Sequence, residues 1–365
     1  MKIKELTNYL ERIAPLSYQE SYDNAGLIVG NTEDEITKAL ISLDCTEAVV
    51  DEAIAKGCDI IISHHPIVFK GLKKFNNRNY VERTVIKAIK NNIALYAIHT
   101  NLDNVVGGVS SKIADKLGLE AQAILSPKSG LLNKLIVYVP RTDVEPVRQA
   151  LFDAGAGHIG NYDQCSYNSA GYGTFRPLDG TTPTIGEVGS QERVEETRIE
   201  VAYPSHLERS IVVALLSAHP YEEVAYDIMT LENTSRHIGS GIIGNLQTPL
   251  SEKDFLAYLK EKLKLNVIRY TQFLGKEISR VAVCGGAGGF LLEHAKRSGA
   301  DVYVTADYKY HEFFDAEGQI IVADIGHFES EQFTQELLFD IIRKKFANFA
   351  VLITETDTNP IKYYS

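Results

Sequence analysis

Histidines and carboxylates gather at four places in the chain, each directly after an apolar run. "DIIISHHPIVF" sets His64 and His65 behind three isoleucines, and "IALYAIHTNLD" places His99 and Asp103 four residues apart. "VTADYKYH" carries Asp307, Lys309 and His311, and "ADIGHFESE" repeats the four-residue spacing with His327 and Glu331. His64, His65, Asp103, His327 and Glu331 together offer imidazole nitrogens and carboxylate oxygens. That mix suits zinc, manganese, iron, cobalt or nickel better than calcium, which takes oxygen ligands. A carboxylate can bridge two cations, which a neutral imidazole cannot. Two ions about 3.5–4 Å apart acidify water and clamp the oxygens of a hydrolytic transition state.

Each residue also has a plainer reading. Pro66 biases His65 towards extended backbone, where neighbouring side chains point different ways. The pair then serves two ions, straddles one where the chain turns, or consists of surface or capping residues. Asp103 could cap a helix starting near Val109. Glu331 could be a first-turn acid of a helix starting near Ser330, with His327 in the loop before it. His311 and Asp307 are the candidate catalytic pair, since an imidazole moves protons near neutral pH; Lys309 is a candidate for holding a phosphate. The alternative for all three is an ordinary loop. Asp23 and Asn24 in "SYDNAGLIVG" line the same cleft or cap a turn, and His99 supports the site by donating to a carboxylate.

The elements that must position these groups read as α/β. "KALISLDC", "CDIIIS" and "IALYAIH" are strands, the latter two buried on both faces, separated by the helices "TEAVVDEAIAKG" and "YVERTVIKAIKNN". That alternation implies a parallel, layered sheet. In such sheets ligands bind at the carboxyl ends of strands, where all four clusters fall. The middle of the chain has two strand–helix–strand units around a polar, glycine-rich stretch at about 160–193, which suggests a ferredoxin-like domain. The last third returns to α/β and echoes the first: "GCDIIISHH" matches "GADVYVTAD", and the two four-residue spacings follow the next strands. The expected organisation is a first α/β half at 1–127, an inserted domain at 128–238 and a second, related α/β half at 239–365, the halves forming one metal-site unit.

Composition limits the function classes. The 365 residues carry 37 Lys and Arg against 48 Asp and Glu, a formal charge of -11. Phosphate backbones are repelled by such a surface, so nucleic acid is disfavoured. The 4 cysteines are far apart and form no C-x-x-C pair, which argues against a disulfide framework or a sulfur-rich zinc site. No apolar run approaches the roughly 20 residues of a membrane span, and the first residues have no signal-peptide core. A cytoplasmic location is expected. "GGAGG" at 285–289 could bend near a ligand but matches neither a dinucleotide fingerprint nor a P-loop.

"YDNAGLIVG", "DIIISHHPIVF", "HTNLD", "VTADYKYH" and "ADIGHFESE", in this order, resemble the family named for NGG-one-interacting factor three, whose members are often labelled GTP cyclohydrolase I type 2 homologues. The resemblance covers about 1–125 and 240–365. The middle segment, with "HPYEEVAYDI", resembles the PII- or CutA-like insertion of longer bacterial members. The resemblance implies two divalent ions per subunit on His64, His65, Asp103, His327 and Glu331, zinc first, with iron, manganese, cobalt, nickel or magnesium as alternatives. It further implies a toroidal homohexamer with the sites facing its cavity. The family's usual glycine before the aspartate is Ala306 here. The expected activity is metal-dependent hydrolysis or ring opening of a nucleotide or phosphorylated small molecule. The alternative is a non-catalytic metal-binding ring protein with a regulatory or chaperone-like role.

Overall fold

The computed structural model describes residues 1–364. The chain divides into two compact units, one of Met1–Pro127 with the chain from Arg236 onward, the other of Lys128–Ser235.

The first part of the larger unit supplies β1 (Gly26–Val29), β2 (Lys38–Ser42), β3 (Ile60–Ser63), β4 (Ala94–Ala97) and β5 (Glu120–Pro127). Ile60, Ile61 and Ile62 are buried on both faces of β3, which explains the unbroken apolar run. Helix Glu47–Lys56 between β2 and β3 starts where the Thr46 side chain accepts from Val49 N–H and stops at Gly57, whose φ of 62° is a left-handed cap. Helix Tyr80–Lys90 starts in the same way on Asn79.

The smaller unit holds β6 (Leu132–Pro140), β7 (Tyr167–Phe175), β8 (Glu192–Pro204) and β9 (Tyr226–Leu231), with helix Val144–Asp153 after β6 and helix Glu208–Ala218 after β8. The sheet order is β7-β8-β6-β9 and every pairing is antiparallel. Leu135, Val137, Ile199 and Val201 pack beneath the two helices. The unit's ends meet, since Ser235 N–H donates to the Lys128 carbonyl at 2.9 Å.

The last third adds β10 (Gly239–Ser251), β11 (Arg269–Tyr270), β12 (Glu277–Ala287), β13 (Val302–Ala306), β14 (Ile321–Asp324) and β15 (Ala350–Ile353). The larger unit has two sheets, β1-β4-β3-β2-β15 and β11-β14-β13-β12-β10-β5. Their membership crosses the expected boundaries. β15, late in the chain, joins β2 in the first sheet, and β5, early in the chain, pairs with β10 in the second. Local patterning marks a strand but does not choose its neighbour, and both exchanges join distant segments.

The echo in the sequence has a physical counterpart. Asp59 Oδ2 accepts from Thr37 and Lys38 N–H, and its amide donates to the Lys38 carbonyl. Asp301 Oδ2 accepts from Ser279 and Arg280 N–H, and its amide donates to the Arg280 carbonyl. Each aspartate thereby fixes its strand against the preceding parallel one. At the far ends, Ile98 N–H donates to Ser63 O and Ile325 N–H to Thr305 O, both at 2.9 Å.

Candidate metal centre

Parallel registration raises the first group of donors. Ser42 lies opposite Ser63, and Ser63 opposite Ala97, so β2, β3 and β4 end at one level. The residues just beyond, Asp44, His64, His65 and His99, therefore emerge side by side. The ladder continues a little further, with His64 and His65 N–H donating to Ser42 O and Leu43 O. Because β3 stops at Ser63 and Ser63 Oγ bonds the His65 carbonyl, the chain turns at the pair. The two rings tilt to 46° with centroids 5.0 Å apart instead of facing opposite sides.

The second group comes from the end of β14. Helix His327–Glu331 begins at His327 itself, not near Ser330. Gly326, with φ of 90°, lets the chain enter the helix at once. His327 and Glu331 thus stand one turn apart on one face, Nε2 to Oε2 at 3.1 Å. Asp103 closes the short helix Thr100–Asp103 that follows β4.

Each imidazole is held through Nδ1 and turns Nε2 inward. His64 Nδ1 donates to the Ile98 carbonyl, His65 Nδ1 bonds Asp44 Oδ1, and His327 Nδ1 bonds Asp307 Oδ2, all at 2.8 Å. A carbonyl only accepts, so neutral His64 carries its proton on Nδ1 and presents a bare lone pair at Nε2. That atom faces Asp103 Oδ1 at 3.6 Å and Glu331 Oε1 at 3.8 Å. His64 Nε2 and Asp103 Oδ1 are buried and have no hydrogen-bond partner. A buried lone pair turned towards carboxylate oxygens is unfavourable without a cation among them. On its other side Glu331 Oε2 lies 2.9 Å from His65 Nε2, and the two Nε2 atoms of His65 and His327 are 3.3 Å apart. The donors fall into two sets within 4.8 Å, His64 with His65 and His99, and His65 with His327 and Glu331. The donor chemistry and the orphaned atoms fit divalent ions.

The metal-free electrostatics follow from the same contacts. Burial pushes His64 below its ordinary pKa. For His65, burial opposes the charge, but Asp44 and Glu331 outweigh it and raise the ring to about 10. Burial likewise opposes a charge on His327, and Glu331 and Asp307 raise it to about 9. Burial, then the neighbouring Glu331 charge, lifts Asp103 well above the carboxylate range. Glu331 is the more deeply buried of the two, and burial opposes its charge, but three imidazoles hold it well below that range. Protons on His65 and His327 thus occupy donors that ions would use.

The structure assigns supporting roles that sequence reasoning left open or missed. His99 Nδ1 bonds Asp23 Oδ1 at 2.8 Å, and Asp23 also accepts from the Thr100 amide and hydroxyl. Burial works against the charge on Asp23, yet these bonds hold its pKa at about 2. Asn24 bonds the Val68 carbonyl. Asp307 steadies His327 from a left-handed conformation, φ 55°, while Ala306 is buried strand that needs no glycine freedom. His311 is exposed on the helix Tyr310–Ala316, with its ring stacked on Phe314. It is not among the residues that line the cavity around the cluster, and Lys309, also outside that lining, pairs with Glu312. Asp44 is the main omission. It joins His65 to the C-terminal segment, where Thr358 Oγ1 donates to it at 2.7 Å. Its one visible signal was its place just past a buried strand. Asp44→Asn is expected to weaken zinc binding by about 10–100-fold, the usual cost of losing such an outer carboxylate; competition titration against a chelating dye reads it.

The glycine-rich "GGAGG" gives room rather than binding. Gly286 has φ of 64°, and a Cβ there would lie 2.3 Å from Glu331 Oε1. Its amide donates to Ser330 Oγ at 2.9 Å, which seats the helix bearing His327 and Glu331. Gly286→Ala is expected to displace Glu331 and to lower zinc affinity at least about tenfold, more than its backbone strain of about 1–2 kcal/mol implies for the fold. A zinc titration beside a thermal melt of the metal-free protein separates the two effects.

Known proteins share this arrangement of segments from end to end. The family model Duf34/NIF3 (NGG1p interacting factor 3) matches residues 1–360. The chain belongs to this family. Among Duf34/NIF3 relatives, the "GTP cyclohydrolase 1 type 2 homolog" of Bacillus subtilis (strain 168) is 41% identical, over 99% of this chain and 98% of its own length. The Bacillus cereus protein related to NIF3 superposes with a TM-score of 0.83 at 39% identity, covering 100% of this chain and 99% of that one. Staphylococcus aureus protein SA1388 does so with 0.79 at 31% identity, covering 100% and 99%. As in the sequence reading, no helix among the described residues is long and apolar enough to cross a membrane.

Proposed function

We propose that this Duf34/NIF3 chain is a dinuclear metal-dependent hydrolase whose ions sit on His64, His65, Asp103, His327 and Glu331. The observation that carries this reading is the unpartnered, buried His64 Nε2 turned towards Asp103 and Glu331, beside a second donor set that shares the other oxygen of Glu331. Mixed imidazole and carboxylate donors favour zinc over calcium or magnesium. Divalent ions bound there would supply Lewis acidity and an acidified water. The chain's own part is orientation. Ile98 O, Asp44 and Asp307 fix the rings of His64, His65 and His327, and Glu331 faces both donor sets. His99, held by Asp23, lines the cavity beside His64 and His65, whereas His311 lies outside that lining. The smaller unit is read as a ferredoxin-like, PII/CutA-type insertion from its β-α-β-β-α-β order. A cytoplasmic homohexamer is proposed on the family resemblance.

Zinc added back to chelated protein is expected to restore hydrolysis on a panel of cyclic amides, amidines and phosphoesters, and His64→Ala is expected to abolish it. Zinc binding without turnover of any member would favour the non-catalytic reading.

A further inference from the structure

The cavity around the donors measures about 640 Å³, within the size range of small-molecule sites. Two features of its wall bear on what it takes. The first is charge. Glu20, Asp44, Asp103 and Glu331 line it, and among the described residues no Lys or Arg does. Those carboxylates alone match the charge of two divalent ions. A triphosphate entering the loaded cavity would find no positive charge left over to neutralise it, in a chain of net charge -11. The second is the aromatic rim. Tyr22, Tyr80 and Phe290 line the cavity while 68%, 61% and 66% exposed, and Phe69 is 49% exposed. Phe69 packs edge-on against His99, ring centroids 5.6 Å apart, so the rim reaches the donors. Side chains of this size left facing a cavity offer stacking surfaces for a flat ring. Glu20 is the one lining carboxylate outside the metal centre, and a carboxylate accepts hydrogen bonds without donating them, which favours a ring with N–H or amino edges.

We infer that this site takes a flat, uncharged, N–H-bearing heteroaromatic compound of nucleobase or nucleoside size, in preference to a nucleoside triphosphate. The inference rests on the metal-centre reading above and narrows its substrate class. The phosphorylated substrate expected from the sequence finds no counter-charge in the cavity wall.

The test uses the full chain loaded with zinc, its zinc content measured on the same sample. Each of four common nucleosides is titrated calorimetrically beside its own triphosphate, with inorganic triphosphate as the charge-only probe. At least one nucleoside is expected to bind tenfold or more tightly than its triphosphate, with no detectable binding of inorganic triphosphate. Phe290→Ala is expected to weaken that nucleoside at least fivefold with zinc content unchanged, and Phe290→Trp to keep its affinity. Triphosphates that bind more tightly than nucleosides, or no nucleoside binding at all, on protein that does hold zinc would overturn the inference and leave the metal centre standing. A nucleoside affinity unmoved by Phe290→Ala would remove the stacking rim. Protein that takes up no zinc would bring down the metal-centre reading, and this inference with it.

Discussion

A chain carrying both His64→Ala and Glu331→Ala is expected to retain its fold and to lose zinc binding at micromolar metal. Glu331 is the one side chain that shows an oxygen to each donor set, Oε1 to His64 and Oε2 to His65 and His327. Its removal weakens both positions at once, and the loss of His64 takes the lone pair that faces Asp103. The drop in affinity should exceed about 100-fold, the upper range for residues that merely orient a ligand. The metal-free variant should melt below the metal-free parent at pH 7, because Glu331 is a buried partner of both charged His65 and charged His327. Saturating zinc should raise the melting temperature of the parent alone. A variant that still gains stability from zinc would place the ions elsewhere.

Zinc binding is also expected to release protons. His65 and His327, raised to about 10 and about 9, stay protonated at pH 7 in the metal-free chain. Ligands must shed these protons to hold an ion. The sign for stability is fixed by linkage. A histidine whose pKa is raised above its unfolded value of about 6.5 stabilises the fold fully below that pH and loses this contribution as pH climbs through its folded pKa. The metal-free protein should therefore lose stability between about pH 6.5 and 10, and the stabilisation by zinc should grow over the same window. Calorimetry in buffers of different ionisation enthalpy should show proton release at pH 7 that shrinks towards pH 10. A flat melting profile with no proton release would mean that the imidazoles already stand neutral.

Much of the grouping of these side chains is legible in the chain because a buried parallel strand announces its own end. A short unbroken run of isoleucines such as Ile60–Ile62 reads as interior strand, so the polar residues that follow stand at its carboxyl edge, where His64 and His65 are found, and Asp103 lies one short helix beyond the end of β4. The equal spacings at His99–Asp103 and His327–Glu331 mark the pairs as related but do not reveal the two short helices that carry them, since the sequence places His327 in a loop and Asp103 at a cap. What stayed hidden depends on pairing between distant segments. Asp44 is an unremarkable acid until β2 and β3 lie in register, and the bond from Thr358 to it spans 314 residues of sequence. β5 and β15 read as strands, yet nothing local reveals the sheets that they join. His311 stands apart from the cluster for the opposite reason. "YKYH" is rich in chemistry, but the chain turns at Asp307 and leaves that ring exposed.

Metal content per chain, measured by plasma mass spectrometry on protein purified without added metal and again after zinc loading and dialysis, tests the dinuclear centre most directly. About two ions per chain are expected, as in other two-metal hydrolytic sites. No retained ion after loading would contradict the centre, and His64, His65 and His327 would then be structural residues joined to the carboxylates around them.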